Sequence, residues 1–151
     1  MDADAGELPV FGRAQCLTLM RTVPIGRVVY TDQALPAVTP VNFVVDGDAV
    51  IIHTGSGSTL AAALRGTVAA FEVDHVDSET GNGWWVTVTG RTQLLGATVD
   101  VAYANRLPLR PWVQAPNAQF VRISCQYVAG GRFDLAAHAD PVDGPVAQAE
   151  T

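Results

Sequence analysis

The sequence predicts a mainly β protein, an antiparallel barrel with short helices at its ends. Three observations carry that expectation. Short β-branched and aromatic runs recur along the chain, separated by Gly, Pro and Asp turn signals. Crossover helices of a dozen residues are missing between most of them, which argues against a parallel doubly wound sheet. The chain has 151 residues, 48% of them hydrophobic and 16% charged. That suits one domain with a real core and excludes disorder for most of its length.

The elements follow in order. Residues 1–9 are small and acidic and are expected to be a flexible N-terminus. Arg13 to Thr22 reads as a short helix with Cys16, Leu17, Leu19 and Met20 as apolar contacts, ended by Pro24 and Gly26. Arg27 to Thr31 is a strand, Gln33 to Pro36 a turn, and Val38 to Val45 a second strand. Pro40 lies inside that strand and has no N–H to donate, so it belongs at an edge, a bulge or an opening that faces a ligand. Asp46-Gly47-Asp48 signals a tight hairpin returning through Ala49 to Thr54. A turn at 55–58 then leads into a short helix, Thr59 to Leu64. Val68 to Val73 is a strand, Asp74 to Gly83 a polar loop, and Trp84 to Leu95 the longest strand. Thr98 to Leu107 reads as a third short helix, followed by a Pro-stiffened loop at 107–112. Phe120 to Tyr127 and Arg132 to Leu135 are the last strands, joined through Gly130-Gly131. Residues 136–151 are rich in Ala, Pro and Asp and read as a disordered acidic tail, which leaves residues 10–135 as the domain.

Charge narrows the chemistry. All nine cations are Arg and there is no Lys. That excludes a P-loop, a Schiff-base lysine and a Ser-x-x-Lys nucleophile. The net charge of −6 comes from the two tails, because nine acids balance nine Arg between Leu8 and Ala136. A neutral body is not the footprint of a nucleic-acid binder. No apolar run is long enough to cross a bilayer, and the acidic N-terminus is unlike a signal peptide. Cys16 and Cys125 lack metal-site spacing and read as buried reduced thiols. These features fit a cytoplasmic protein without a membrane partner.

Few residues form a reactive group. His53, His75 and His138 lack metal-ligand spacing, so no metal site is expected. Glu72 and Asp74 could form a carboxylate pair, but solvated loop charges are the simpler reading. No residue stands out as catalytic. The strand-to-helix junction Thr54-Gly55-Ser56-Gly57-Ser58-Thr59 offers glycines, hydroxyls and helix N–H groups, either an ordinary capped turn or a phosphate cradle. Trp84 and Trp85 point to opposite faces of their strand. Trp112 stands near Arg106 and Arg110, as aromatics at an interface or over a flat anion do.

The chain resembles the pyridoxamine 5′-phosphate oxidase-like split-barrel flavoproteins, in their small stand-alone actinobacterial branch. The carrying segments are Gly26 to Tyr30, Pro36 to Phe43, Asp46-Gly47-Asp48, Thr54 to Ser58, Val68 to Asp74, and Gly83 through Arg91, in family order across nearly all of residues 10–135. The resemblance implies a homodimer of six-stranded antiparallel split barrels. FMN, or a deazaflavin coenzyme, would lie in each of two interface grooves. By family position, Val38, Pro40, Val41 and Asn42 would line the ring; His53, read as a side chain on the barrel's polar face, is a further cofactor-binding candidate. Thr54, Ser58 and Thr59 would hold the phosphate, and Trp84 and Trp112 would approach the partner's cofactor. The family's chemistry is hydride or electron transfer by that cofactor. One departure is plain: relatives usually place Lys or Arg directly after the Ser, where this chain has Thr59. Losing such a charge-assisted contact costs roughly 1.5–3 kcal/mol. The expected function is therefore a flavin- or deazaflavin-dependent oxidoreductase of unknown substrate. The alternative is a non-enzymatic dimer that has lost the cofactor and acts as a ligand-binding or regulatory module.

Overall fold

Among the described residues of this computed structural model, 10–54, 59–95 and 119–136, the chain forms seven strands and two short helices. They are α1 (Arg13–Met20), β1 (Ile25–Asp32), β2 (Leu35–Asp46), β3 (Ala49–Thr54), α2 (Thr59–Ala63), β4 (Val68–Val76), β5 (Asn82–Leu95), β6 (Gln119–Ser124) and β7 (Tyr127–Asp134). The strands run in the order β4-β1-β2-β3-β6-β5, and β5 pairs back onto β4. That closes a six-stranded antiparallel barrel, with β7 as an extra strand on β5. The third helix and the Pro-stiffened loop expected over 98–112 fall outside the described residues.

Local sequence explains most boundaries. The β1–β2 loop is only Gln33-Ala34, both with positive φ (50° and 65°). β2 therefore starts at Leu35 rather than Val38. The turn expected over Gln33 to Pro36 is thus confined to two residues, neither of them the Gly or Asn usual at positive φ. Opposite Pro36 and Pro40, β2 pairs with β1, while β3 pairs only with Phe43 to Asp46. Pro40 thus sits in the half of β2 with one described neighbour, as its missing N–H requires. The β2–β3 turn is Gly47-Asp48, with Gly47 at φ 59°.

Two segments differ from expectation. The polar loop after β4 is shorter than 74–83, because the strand runs on to Val76 and the chain pairs again from Asn82. Asp77 makes this possible by turning its carboxylate onto the N–H groups of Glu79 and Thr80, at 2.9 and 3.4 Å. The last two strands break at Cys125-Gln126 rather than at Gly130-Gly131. Thr92 faces Ile123 while Thr89 faces Tyr127, so one extra residue bulges out between them. Gly90 lies opposite that bulge, and a Cβ there would collide with the Ser124 carbonyl. Gly130 has a different task within β7. Its Cβ would fall 2.7 Å from the Trp85 carbonyl and 2.9 Å from Cys16 Sγ, so it lets α1 pack closely.

The interior is filled from every strand, including Val28, Phe43, Ile52, Phe71, Val88 and Ile123. Phe43 and Phe71 meet edge to face, with ring centres 4.8 Å apart. Cys16 and Met20 of α1 are fully buried against this core. Both cysteines are free and buried, and burial pushes their thiols above the usual pKa. At the other end, the buried Thr92 hydroxyl donates to the Leu64 carbonyl and accepts the Thr67 N–H, tying α2 to β5.

Candidate functional site

Alternation along β2 sorts the expected ring-lining residues. Val41, Phe43 and Val45 point inward and are buried, so Val38, Pro40 and Asn42 point outward. Val41 therefore offers only its backbone to anything on the outer surface. On β3 the same logic puts Ile51 and His53 outside and Val50 and Ile52 in the core. Phe43 pairs with Ile52, so the next register position sets Asn42 beside His53. The fold thus gathers Val38, Pro40, Asn42 and His53 on one continuous outer surface.

Two properties mark that surface. Asn42 Oδ1 is buried and has no hydrogen-bond partner. An acceptor withdrawn from water without a donor costs about 1–3 kcal/mol, so it calls for an N–H or O–H from a bound molecule. His53 stands edge-on to Phe120, ring centres 5.2 Å apart. Burial lowers its pKa, which keeps the imidazole neutral near pH 7. A neutral imidazole, an unpaired amide oxygen and the rigid faces of Val38 and Pro40 suit a flat heterocycle with ring donors.

The remaining expected residues are placed differently. Thr54 turns inward at the end of β3, 3% exposed, with its hydroxyl 3.4 Å from the Gln119 carbonyl. Thr59 opens α2. Ser58 and Trp112 lie outside the described residues. Trp84 faces the α1 side, where it borders a cavity of about 480 Å³ together with Phe11, His75 and Arg132. Its neighbour Trp85 is the outward one, 37% exposed.

Three charged residues meet on the outer surface: Arg27, which sequence reasoning passed over, and Glu72 and Asp74, which it read as solvated loop charges. Arg27 of β1 pairs with Pro40 on one side and Glu72 on the other. Its Nη1 lies 3.2 Å from Glu72 Oε1 and 3.4 Å from Asp74 Oδ2. Glu72 and Asp74 belong to β4, not to a loop, and their two-residue spacing puts both on one face. That spacing was the available signal; the extent of the strand was not. Glu72 is pushed up to about 7, first by burial and then by its hydrogen bond to Asp74 and that residue's charge, against the pull of Arg27. Among the described residues, no group of three or more His, Cys, Asp or Glu side chains could hold a metal ion. No described helix is long and apolar enough to cross a membrane.

Comparison with known proteins places this geometry. A protein of Mycobacterium tuberculosis is 36% identical over 134 residues, covering 85% of this chain and 88% of its own. The FAD-binding protein of Mycobacterium smegmatis superposes with a TM-score of 0.72 at 29% identity, over 85% of this chain and 99% of that one. A Corynebacterium glutamicum protein with a provisional pyridoxamine 5′-phosphate oxidase assignment gives 0.75 at 29% identity, over the same shares. The family model for pyridoxamine 5′-phosphate oxidase matches residues 12–132. With that match spanning most of its length, this chain, a closed six-stranded barrel, belongs to the pyridoxamine 5′-phosphate oxidase family.

Proposed function

We propose that this protein binds a flavin, FMN in the first instance, between two copies of itself and uses it for electron or hydride transfer. The observation that carries the reading is Asn42 Oδ1, buried and without a partner on the surface shared with Val38, Pro40 and His53. The isoalloxazine edge offers an N–H that would satisfy it. The phosphate end would reach Thr54, Ser58 and Thr59. A bound flavin supplies the redox chemistry, and the chain supplies position and a dry, apolar wall. The FAD-binding neighbour supports a flavin in general. The namesake reaction is no part of the proposal, because a fold hosts many activities.

The dimer rests on a second feature. Ile25, Val29, Val38, Val68, Trp85 and Tyr127 are all exposed, and register and alternation put them on one outer face of β2, β1, β4, β5 and β7. An apolar face of this kind on a soluble barrel marks an interaction surface. One feature favours the alternative of a cofactor-free dimer: α2 starts at Thr59, where the family resemblance implies a Lys or Arg.

Titration with FMN, FAD and a deazaflavin coenzyme, followed by fluorescence, tests the proposal. Saturable quenching by FMN, weakened in Asn42→Ala, is the expected result. A colourless protein that leaves all three unchanged overturns it in favour of the cofactor-free dimer.

A further inference from the structure

We infer that the Arg27–Glu72–Asp74 cluster couples the pairing of two copies of this chain to proton uptake, so that the subunits hold together more tightly as pH falls from 8 to 6. The inference rests on the proposal that the exposed outer face is the dimer surface.

The geometry is specific. One guanidinium nitrogen serves two carboxylates, at 3.2 and 3.4 Å, so the cluster carries one negative charge in excess when both acids are ionised. It sits among the apolar side chains of that face, not at its rim. Val29 is two residues along from Arg27, and Trp85 is the direct cross-strand partner of Asp74. A two-fold contact presents the same patch from both subunits. Closing two such faces strips water from two uncompensated charges, which costs more than the single Arg returns. A proton on Glu72 removes the excess: the protonated carboxyl donates to Asp74, and the remaining carboxylate keeps Arg27.

Among the described residues, no other carboxylate on that face stands beside this cluster. On the same face β2 offers Val38, Pro40 and Asn42, and β5 offers Trp85, Thr87 and Thr89. The other described titratable residues there are Arg91, opposite Val68 at the far end of β4, Tyr127 on the outer strand, and His53, beyond Asn42 on β3, whose pKa burial lowers, so that it stays neutral at the upper end of this range. The raised pKa of Glu72 places the transition near neutrality. Because the dimer binds more protons than two free subunits, dissociation must become harder as pH falls.

Sedimentation equilibrium of the full chain between pH 6 and 8 tests this. The dissociation constant should rise about tenfold or more across that range, one proton-linked unit per decade. Glu72→Gln should keep the low-pH affinity at pH 8 and flatten the curve, and Asp74→Asn should shift it in the same direction. Equal dissociation constants at pH 6 and 8, or an undiminished pH dependence in both variants, overturn the inference while leaving the dimer in place. A monomer at every pH overturns the dimer and the inference together.

Discussion

The barrel has two outer faces, and they are treated oppositely. On the β3–β6 side, the outward Ile51, Phe120 and Leu95 are 0, 4 and 5% exposed, as dry as the interior. On the side of β1, β4 and their neighbours, Val38 of β2 and Tyr127 of β7 are 60 and 74% exposed. The strands record the difference. β3 reads Ala-Val-Ile-Ile and is buried on both faces; β1 alternates, with Gly26 and Val28 in and Arg27 and Val29 out. A continuous apolar strand belongs in a two-sided layer, and an alternating one keeps a face for water or for a partner. Asn42 and His53 lie at the seam between the two regimes, which is where a ligand can be half-enclosed without a deep pocket.

The largest expected contrast comes from truncating one residue on each face. Ile51→Ala should cost about 2–5 kcal/mol in denaturant unfolding, the usual range for a buried Ile. Val38→Ala should stay within about 0.5 kcal/mol in the isolated subunit. Equal losses would mean that the faces do not differ. A smaller effect belongs to the seam. Asn42→Ala should weaken flavin binding about tenfold, one hydrogen bond's worth, yet leave the apoprotein as stable as before or slightly more so, since it removes an orphaned acceptor. A clear loss of apoprotein stability would show that Asn42 is a structural residue instead. The smallest effect is electrostatic. Glu72 has a folded pKa near 7 against an ordinary value of 4.5, so the folded state holds the extra proton between them. Stability should therefore decline as pH rises through that window, and Glu72→Gln should remove the decline. An unchanged profile in the variant would assign the titration to another group.

Much of this was legible beforehand. Alternation and turn residues located the first six strands and misplaced the break before the seventh, and the Gly47-Asp48 hairpin came with its turn signal. The β1–β2 turn, expected over Gln33 to Pro36, was placed but not its extent, because Gln33 and Ala34 adopt positive φ without the usual residues and are held there by the paired strands. Gly130-Gly131 resembled a joint, and only the approach of α1 shows that the glycine serves packing. At the site, the two-residue spacing of Glu72 and Asp74 was visible. The guanidinium between them comes from a strand 45 residues earlier in the chain, and no local pattern encodes that distance. The choice between Trp84 and Trp85 likewise depended on which side of β5 receives α1.

The way the barrel closes has a consequence for its birth. β3 finds its second neighbour only in β6, so residues 49–54 wait for residues 119–124. β1 likewise waits for β4. During synthesis the chain must carry Ala-Val-Ile-Ile as an open, sticky edge until nearly the whole domain has left the ribosome. Long-range pairing of this kind makes folding slow, and an exposed apolar edge invites the wrong partner in the meantime. A chain truncated before β6 should be an aggregating species rather than a smaller barrel. In a crowded cell the hazard for this protein therefore lies in the seconds of synthesis before the last strands arrive, more than in the finished fold.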